Sequence, residues 1–286
     1  GLKGGKNVHS AFRVRRTLSF VIILLGAFVM LYPLLWMLSS SFKPDTLIFK
    51  DINLWPSTFT WDNYKKGWQG FAGISFAVFF KNSFIIVLLA IAGNLITCSM
   101  TAYAFARLDF SFKRLCFAIM MVSIMLPHHV VMIPQYIFYD ALGWINSFLP
   151  LIVPKFLATD AFFIFLIVQF IRGLPRELDN AARVDGCGPV QIYLRIMFPL
   201  LLPALVTTAI FTFIWTWNDF FSQLIYISNP KLYPVSLALR GFMDATSTSA
   251  WGSLFAMSIL SLVPIFLFFV FFQRKLVEGI ATTGLK

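Results

Sequence analysis

Apolar residues occur along this chain in runs of about 20, the length of a helix that crosses the ~30 Å hydrocarbon core of a bilayer. The first run covers residues 18–38 and the second 83–103. A third covers 115–133 and contains Pro127; a fourth covers 148–171 and contains Pro150, Pro154, Lys155 and Asp160. The fifth covers 200–225 and the sixth 253–272. Helices satisfy their backbone polar groups internally, which hydrocarbon demands, so the pattern predicts an all-α polytopic membrane protein with six transmembrane helices. An even number of crossings returns the chain to its starting side. Between the first two runs lies a long polar stretch, 39–82, carrying Trp55, Trp61, Tyr64 and Trp68. These aromatics suit a membrane interface or a docking surface equally.

Composition removes the soluble alternative. Charged residues make up 12% of the chain, against about 25% in soluble domains, and the mean hydropathy is +0.80. The net charge of +11 would point to nucleic acid on a soluble protein. Here its placement is topological: fifteen Lys and Arg fall on the side of the termini, seven on the opposite side, and Lys155 lies within the fourth run. Cationic residues accumulate in cytoplasmic loops, so both termini are expected in the cytoplasm and no nucleic-acid partner is needed. Cys98, Cys116 and Cys187 lie in or beside apolar runs or in a basic loop, so no disulfide framework is expected. No short apolar segment with a small-residue cleavage site precedes the first run, which is therefore expected to remain as an anchor.

One cytoplasmic segment, 172–198, is far longer than the two to eight residues that typically join packed helices. Pro175, Glu177 and Asp179 suit the start of a short helix, and Gly186 can end it in a left-handed conformation. Ala181 and Ala182 carry little bulk, so a partner could approach the backbone. A second helix is expected from Pro189. The apolar residues Leu178, Ala181, Ala182 and Val184 form a narrow face, which favours protein docking over rest on lipid headgroups.

This segment resembles the EAA loop of permease subunits in binding-protein-dependent ABC importers, through Asn180, Ala181 and Ala182, then Asp185 and Gly186, then Ile196 and Pro199. Asn180 stands where the family has glutamate. The resemblance extends to SFKPD at 41–45, TAYAFARLDFSFKR at 101–114, LPHHVVMIPQY at 126–136, WNDFF at 217–221 and the tail from Phe272, which together resemble the maltose-type, sugar-importing branch. It implies a permease in the bacterial inner membrane, paired as a heterodimer with a second permease subunit. Two cytoplasmic ATPase subunits and a periplasmic solute-binding protein complete the implied assembly. ATP and Mg would be bound by the ATPase subunits, with no cofactor on this chain. Glu177, Asn180, Ala181, Ala182, Asp185 and Gly186 would form the coupling helix. The implied organisation is a cytoplasmic N-terminal segment 1–16, a permease domain 17–273 and a cytoplasmic tail 274–286. The implied cargo is an oligosaccharide, with an alginate-derived one as first candidate and malto-oligosaccharide or glycerol phosphate as alternatives. A membrane enzyme without transport function is the alternative of a different class.

Polar residues inside apolar runs are candidates for the pathway. Asp160 lies halfway along the fourth run; Lys155, five residues away, is poorly spaced to share a helical face with it. On the fifth run, Trp215, Asp219 and Gln223 recur every four residues and, with Asn218, could offer a ring, a carboxylate and amides to a sugar. Packing against the second permease is the competing use of that stripe. His128 and His129 are adjacent and diverge on a helix, so no metal site is expected. No phosphate-binding loop or catalytic constellation occurs, so no catalytic residue is assigned.

Overall fold

The computed structural model describes residues 4–244 and 250–284, with side chains over 16–243 and 250–273. The ends of the expected terminal segments, 1–3 and 285–286, lie outside the described residues, as do the side chains of Lys6, Arg13, Arg15, Arg274 and Lys275. The described residues are mostly helical, with one isolated β-bridge between Phe71 and Ile74. Four helical segments are long and apolar enough to cross a membrane: Arg16–Ser40, Phe76–Arg107, Leu149–Arg172 and Trp251–Gln273. Two further helix pairs qualify only when each bent pair is taken together.

The third apolar run is one of these pairs and is not a continuous helix. Lys113–Ile124 (α4) and His128–Ala141 (α5) meet at 106°. Pro127 supplies no N–H and pushes the residue before it out of the helical region, so the chain turns there. The fifth run is the other pair. Leu202–Asn218 (α11) meets the Pro189–Leu200 segment at 74° and stops at Asn218, with Asp219 extended at φ −67° and ψ 107°. A separate helix, Phe221–Tyr226 (α12), follows. Asp219 Oδ1 accepts from Ser222 N at 3.1 Å. A short polar side chain bound to nearby backbone offers an alternative to continuing the helix, so the expected stripe of Trp215, Asp219 and Gln223 on one uninterrupted helix is incorrect.

The chain divides into two compact units. One comprises Gly1–Trp68 and Phe242–Leu260. Within it Gly4–Ser40 (α1) carries apolar side chains such as Phe20, Ile23 and Met30 exposed around its circumference, as lipid contact requires. The polar stretch after it is ordered by buried polar groups. Lys43 is fully buried and donates to the carbonyls of Asp51 and Asn53 at 2.6 and 2.7 Å. Asn63, on Asp62–Gln69 (α2), donates to the carbonyls of Ser41 and Lys43. Gly252, at the start of Trp251–Gly284 (α14), donates to Asp45 Oδ1 at 2.7 Å. A side chain at Gly252 would fall 2.4 Å from Asn63. Of the four aromatics, Trp61 and Tyr64 pack on Phe42, while Trp55 stands 87% exposed.

The second unit comprises Gln69–Gly241 and Ser261–Lys286 and is organised around Phe76–Arg107 (α3), which packs along α11 and along Ala161–Arg172 (α7). Small and polar residues on α3, namely Ala90, Gly93, Asn94, Cys98 and Ala102, are fully or almost fully buried and let neighbouring backbones approach. The fourth run is Leu149–Ile152 (α6), a 3-10 turn Val153–Leu157, a left-handed Ala158 and then α7. α14 continues as helix through 274–284, residues assigned from the sequence to the tail.

Candidate functional site

Asp160 is not mid-helix; it sits at the N-terminal boundary of α7. The preceding turn doubles back through Ala158 at φ +54°, which brings Lys155 Nζ to 3.0 and 2.8 Å from the two Asp160 carboxylate oxygens. The helical spacing argument against this pair fails because the intervening residues are not α-helical. Gly93 and Thr97 of α3 seat the turn. A Cβ at Gly93 would lie 2.9 Å from the Lys155 backbone, and Thr97 Oγ1 donates to the Lys155 carbonyl at 2.9 Å. Asn94 Nδ2 donates to Asp160 Oδ2 at 2.6 Å and to Thr212 Oγ1 at 3.0 Å, tying α3, α7 and α11 at one point. Neither Asn94 nor Thr212 stood out in the sequence; a polar residue amid the apolar run of α3 was the available signal.

Beside this network lies a cavity of about 460 Å³. Its walls include Lys155, Asp160, Trp215, Asn218, Asp219 and Gln223, so the expected pathway residues do converge, although through a helix break and not a stripe. Trp215 is half exposed and lies against Phe163 at 5.2 Å. Asn218 is exposed and its Nδ2 donates to the Ile214 carbonyl. Gln223 is buried; its Nε2 donates to the Thr216 carbonyl and its Oε1 accepts from Ser236 Oγ of Val235–Asp244 (α13), so it shapes the wall. His128, where the sequence led to no expected metal site, lines the same cavity, while His129 packs on Phe221. A ring face beside carboxylates, an amide and an ammonium group is chemistry for a polyhydroxylated ligand.

The 172–198 segment contains two short helices. Glu177–Val184 (α8) starts two residues after Pro175, not at it, with Glu177 and Asp179 in its first turn. Gly186, at φ +80°, ends it: Cys187 N donates to the Ala182 carbonyl and Gly186 N to the Arg183 carbonyl. This double bond pattern is the Schellman motif. Pro189–Ile192 (α9) follows, with Gln191 Oε1 accepting from Gly188 N. Then come a π-helical turn Tyr193–Met197 and Phe198–Leu200 (α10). α8 presents two faces. Asp179 and Ala182 are buried against the chain itself, whereas Glu177, Asn180, Ala181 and Val184 are exposed. Ala182 is thus not open to a partner, and Ala181 is. The inward face joins a core with Cys98, Ala102 and Tyr103 of α3 and Ile167 and Ile171 of α7. Tyr193 and Ser99 share a hydroxyl hydrogen bond at 2.7 Å. Arg107, the last residue of α3, lies 2.8 Å from Asp179 and donates to the Leu174 carbonyl at 2.8 Å.

Apolar helices around a polar cavity, with a short helix bolted to their ends and one face left open, define a membrane transport subunit. The chain belongs to the family described as binding-protein-dependent transport system inner membrane component, which matches residues 93–281. The arabinooligosaccharides transport system permease of Halalkalibacterium halodurans is 32% identical, over 94% of this chain and 95% of its own length. The trehalose transport system permease of Mycobacterium tuberculosis is 33% identical, over 90% of this chain and 92% of its own. A crystal structure of a bacterial ABC transporter involved in import of the acidic polysaccharide alginate contains a chain of the same fold. That match has a TM-score of 0.82 and 20% identity and covers 92% of this chain and 97% of that one. Family and fold are thus those expected from the EAA-type segment and the apolar runs. Membership makes the chain an inner-membrane component that works with a solute-binding protein and ATPase subunits.

Proposed function

We propose that this chain is a permease subunit that imports a neutral or acidic oligosaccharide or disaccharide by ATP-driven alternating access. In this reading it pairs with a second permease, and two ATPase subunits bind ATP and Mg. The exposed face of α8, Glu177, Asn180, Ala181 and Val184, seats in one ATPase, and its Gly186 cap holds the following turn. Closure of the ATPases would move α8 together with α3, since Arg107 and the shared core join them, and so change access to the cavity. Both termini lie in the cytoplasm by the distribution of Lys and Arg.

The observation that carries the reading is the cavity, with half-exposed Trp215 beside Asp160, Asn218 and Asp219. Relatives named for arabinooligosaccharides and trehalose support a sugar. The test is reconstitution of the complete complex with its binding protein, measuring ATP hydrolysis with arabino-oligosaccharide, trehalose and alginate oligosaccharide in turn. Stimulation and uptake with one of them is expected. Turnover of a membrane substrate by the isolated permease without ATPase subunits would overturn the proposal.

A further inference from the structure

A second cavity, of about 250 Å³, opens where α3 and α7 end and α4 begins, near the 172–198 segment. Among the described residues its lining contains four cationic side chains, Arg107, Lys113, Arg172 and Arg176, and no carboxylate. Two are occupied elsewhere: Arg107 by Asp179, and Lys113 by Asp109 at 3.3 Å and by the Leu108 carbonyl. Arg172 lies over the Phe117 ring, 5.4 Å from its centre. Among the described residues neither Arg172 nor Arg176 has a carboxylate within ion-pairing distance, and both are exposed. Free positive charge therefore converges on a hollow smaller than the ~300–1,000 Å³ pockets of drug-sized ligands.

We infer that this cavity binds a phosphate group, and that the group is the headgroup of an anionic phospholipid. Guanidinium forks match phosphate oxygens in geometry and charge, and basic pockets between membrane helices on the cytoplasmic side are suited to such headgroups. The choice of a lipid over a soluble phosphate rests on α4. Directly after Lys113, Leu115, Ile119 and Val122 share one helical face and are each more than half exposed. No residue of α4 is buried. A headgroup held by Arg172 and Arg176 thus has an apolar track beside it for its acyl chains. The site abuts Arg107, so its occupant would also steady the junction between α3 and α8. Plain solvation of cytoplasmic charge is the competing account, and it predicts no preference for these two arginines over others on the same side.

The test uses the complete importer in nanodiscs of phosphatidylcholine, alone or mixed with phosphatidylglycerol, and measures by native mass spectrometry the phosphatidylglycerol retained on this subunit. It does not depend on the sugar carried. Each basic residue near a membrane surface contributes about fivefold in affinity, so Arg172→Gln with Arg176→Gln should lower retention about twenty-five-fold. Arg172→Lys with Arg176→Lys keeps the charge but not the fork and should retain more than the glutamine pair and less than wild type, which separates charge loss from misfolding. Arg114→Gln with Arg195→Gln, an equal charge loss outside the cavity, should leave retention near wild type. Equal retention in the Arg172 and Arg176 glutamine variant, or equal loss in both glutamine pairs, would overturn the inference. Inorganic phosphate that displaces phosphatidylglycerol at millimolar concentration would assign the site to a soluble phosphate and overturn the lipid reading.

Discussion

Arg107 Nε and Asp179 Oδ2 lie 2.8 Å apart, with both side chains almost wholly buried, and they join the end of α3 to α8. The Nε–H is not aligned as a hydrogen bond to the carboxylate, so the contact is a charge pair. Desolvation makes such pairs modest contributors when intact, but removing one partner strands a buried charge at about 3–5 kcal/mol. Asp179→Ala should therefore lower the thermal unfolding midpoint of the purified importer sharply. Arg107→Leu combined with Asp179→Leu should recover most of the loss. A double variant no more stable than Asp179→Ala would show that the pair is not what holds the junction.

The two faces of α8 separate docking from folding. Ala181→Arg adds a charged side chain to the exposed face and should leave the folded subunit intact while reducing copurified ATPase by about tenfold, the effect of ~1.4 kcal/mol. Ala182→Arg forces a guanidinium into the core against α3 and α7 and should reduce the yield of folded subunit instead. Gly186 isolates a third effect. Among the described residues, its two chain neighbours aside, no atom lies within 4 Å of a Cβ placed there, so a substitution acts through the backbone alone at φ +80°. Gly186→Val should weaken ATPase association and Gly186→Asn should be better tolerated, since Asn adopts the left-handed conformation more readily.

Asp51 gives the polar stretch after α1 a pH dependence. Its carboxyl titrates below the ordinary 3.8, chiefly because the Ser57 backbone N–H donates to it, with the Ser57 hydroxyl and Asn53 N–H adding to the effect. A depressed folded value means the stabilisation is complete well above pH 3.8 and is lost as pH falls below 3.8 through the lowered value. Protease cleavage between residues 51 and 57 should rise over that acidic window in wild type. Asp51→Asn should cleave at a rate that no longer varies with pH there. Lys43→Met should open the same stretch at neutral pH, because the carbonyls of Asp51 and Asn53 lose their donor at about 1–3 kcal/mol.

Topology needs a reporter that does not disturb the fold. Asn63 is buried and holds two carbonyls, so a cysteine there would report unfolding. Trp55 is exposed and suits the purpose. A cysteine replacing Trp55 should react with an impermeant thiol reagent from outside intact cells, and tags at both ends should be cytoplasmic. Labelling at position 55 only after permeabilisation would invert the orientation.

The apolar runs and the Ala-Ala, Asp-Gly spacing were legible in the sequence because hydropathy and local turn chemistry act over a few residues. What was not legible depended on where helices break. Lys155 and Asp160 read as a mismatched helical pair until Ala158 turned the chain between them. Trp215, Asp219 and Gln223 read as one stripe until Asp219 accepted the Ser222 N–H and ended it. The inward turn of Ala182 was equally hidden, since two adjacent alanines look alike until Asp179 finds Arg107. In each case a single tertiary or side-chain contact overrides a period that the sequence carries.

The cavity residues differ in how many of their polar atoms are already engaged, and that difference predicts separate phenotypes. Trp215 exposes half its surface, and its ring lies against Phe162, Phe163 and Phe211. Trp215→Ala should therefore assemble normally and raise the sugar concentration for half-maximal stimulation of ATP hydrolysis about tenfold, with little change in the maximal rate. Gln223 is buried with both ends of its amide in use. Gln223→Ala leaves the Thr216 carbonyl and Ser236 hydroxyl without that partner, so assembled complex should fall while the surviving complexes keep their sugar dependence. Asp160→Asn leaves the Lys155 ammonium without its carboxylate while Asn94 loses a charged acceptor. It should lower both yield and maximal rate. Quantifying assembled complex by gel filtration alongside sugar-stimulated ATP hydrolysis distinguishes the three. An unchanged half-maximal concentration in well-assembled Trp215→Ala would place the sugar path elsewhere in the importer and leave this cavity as packing.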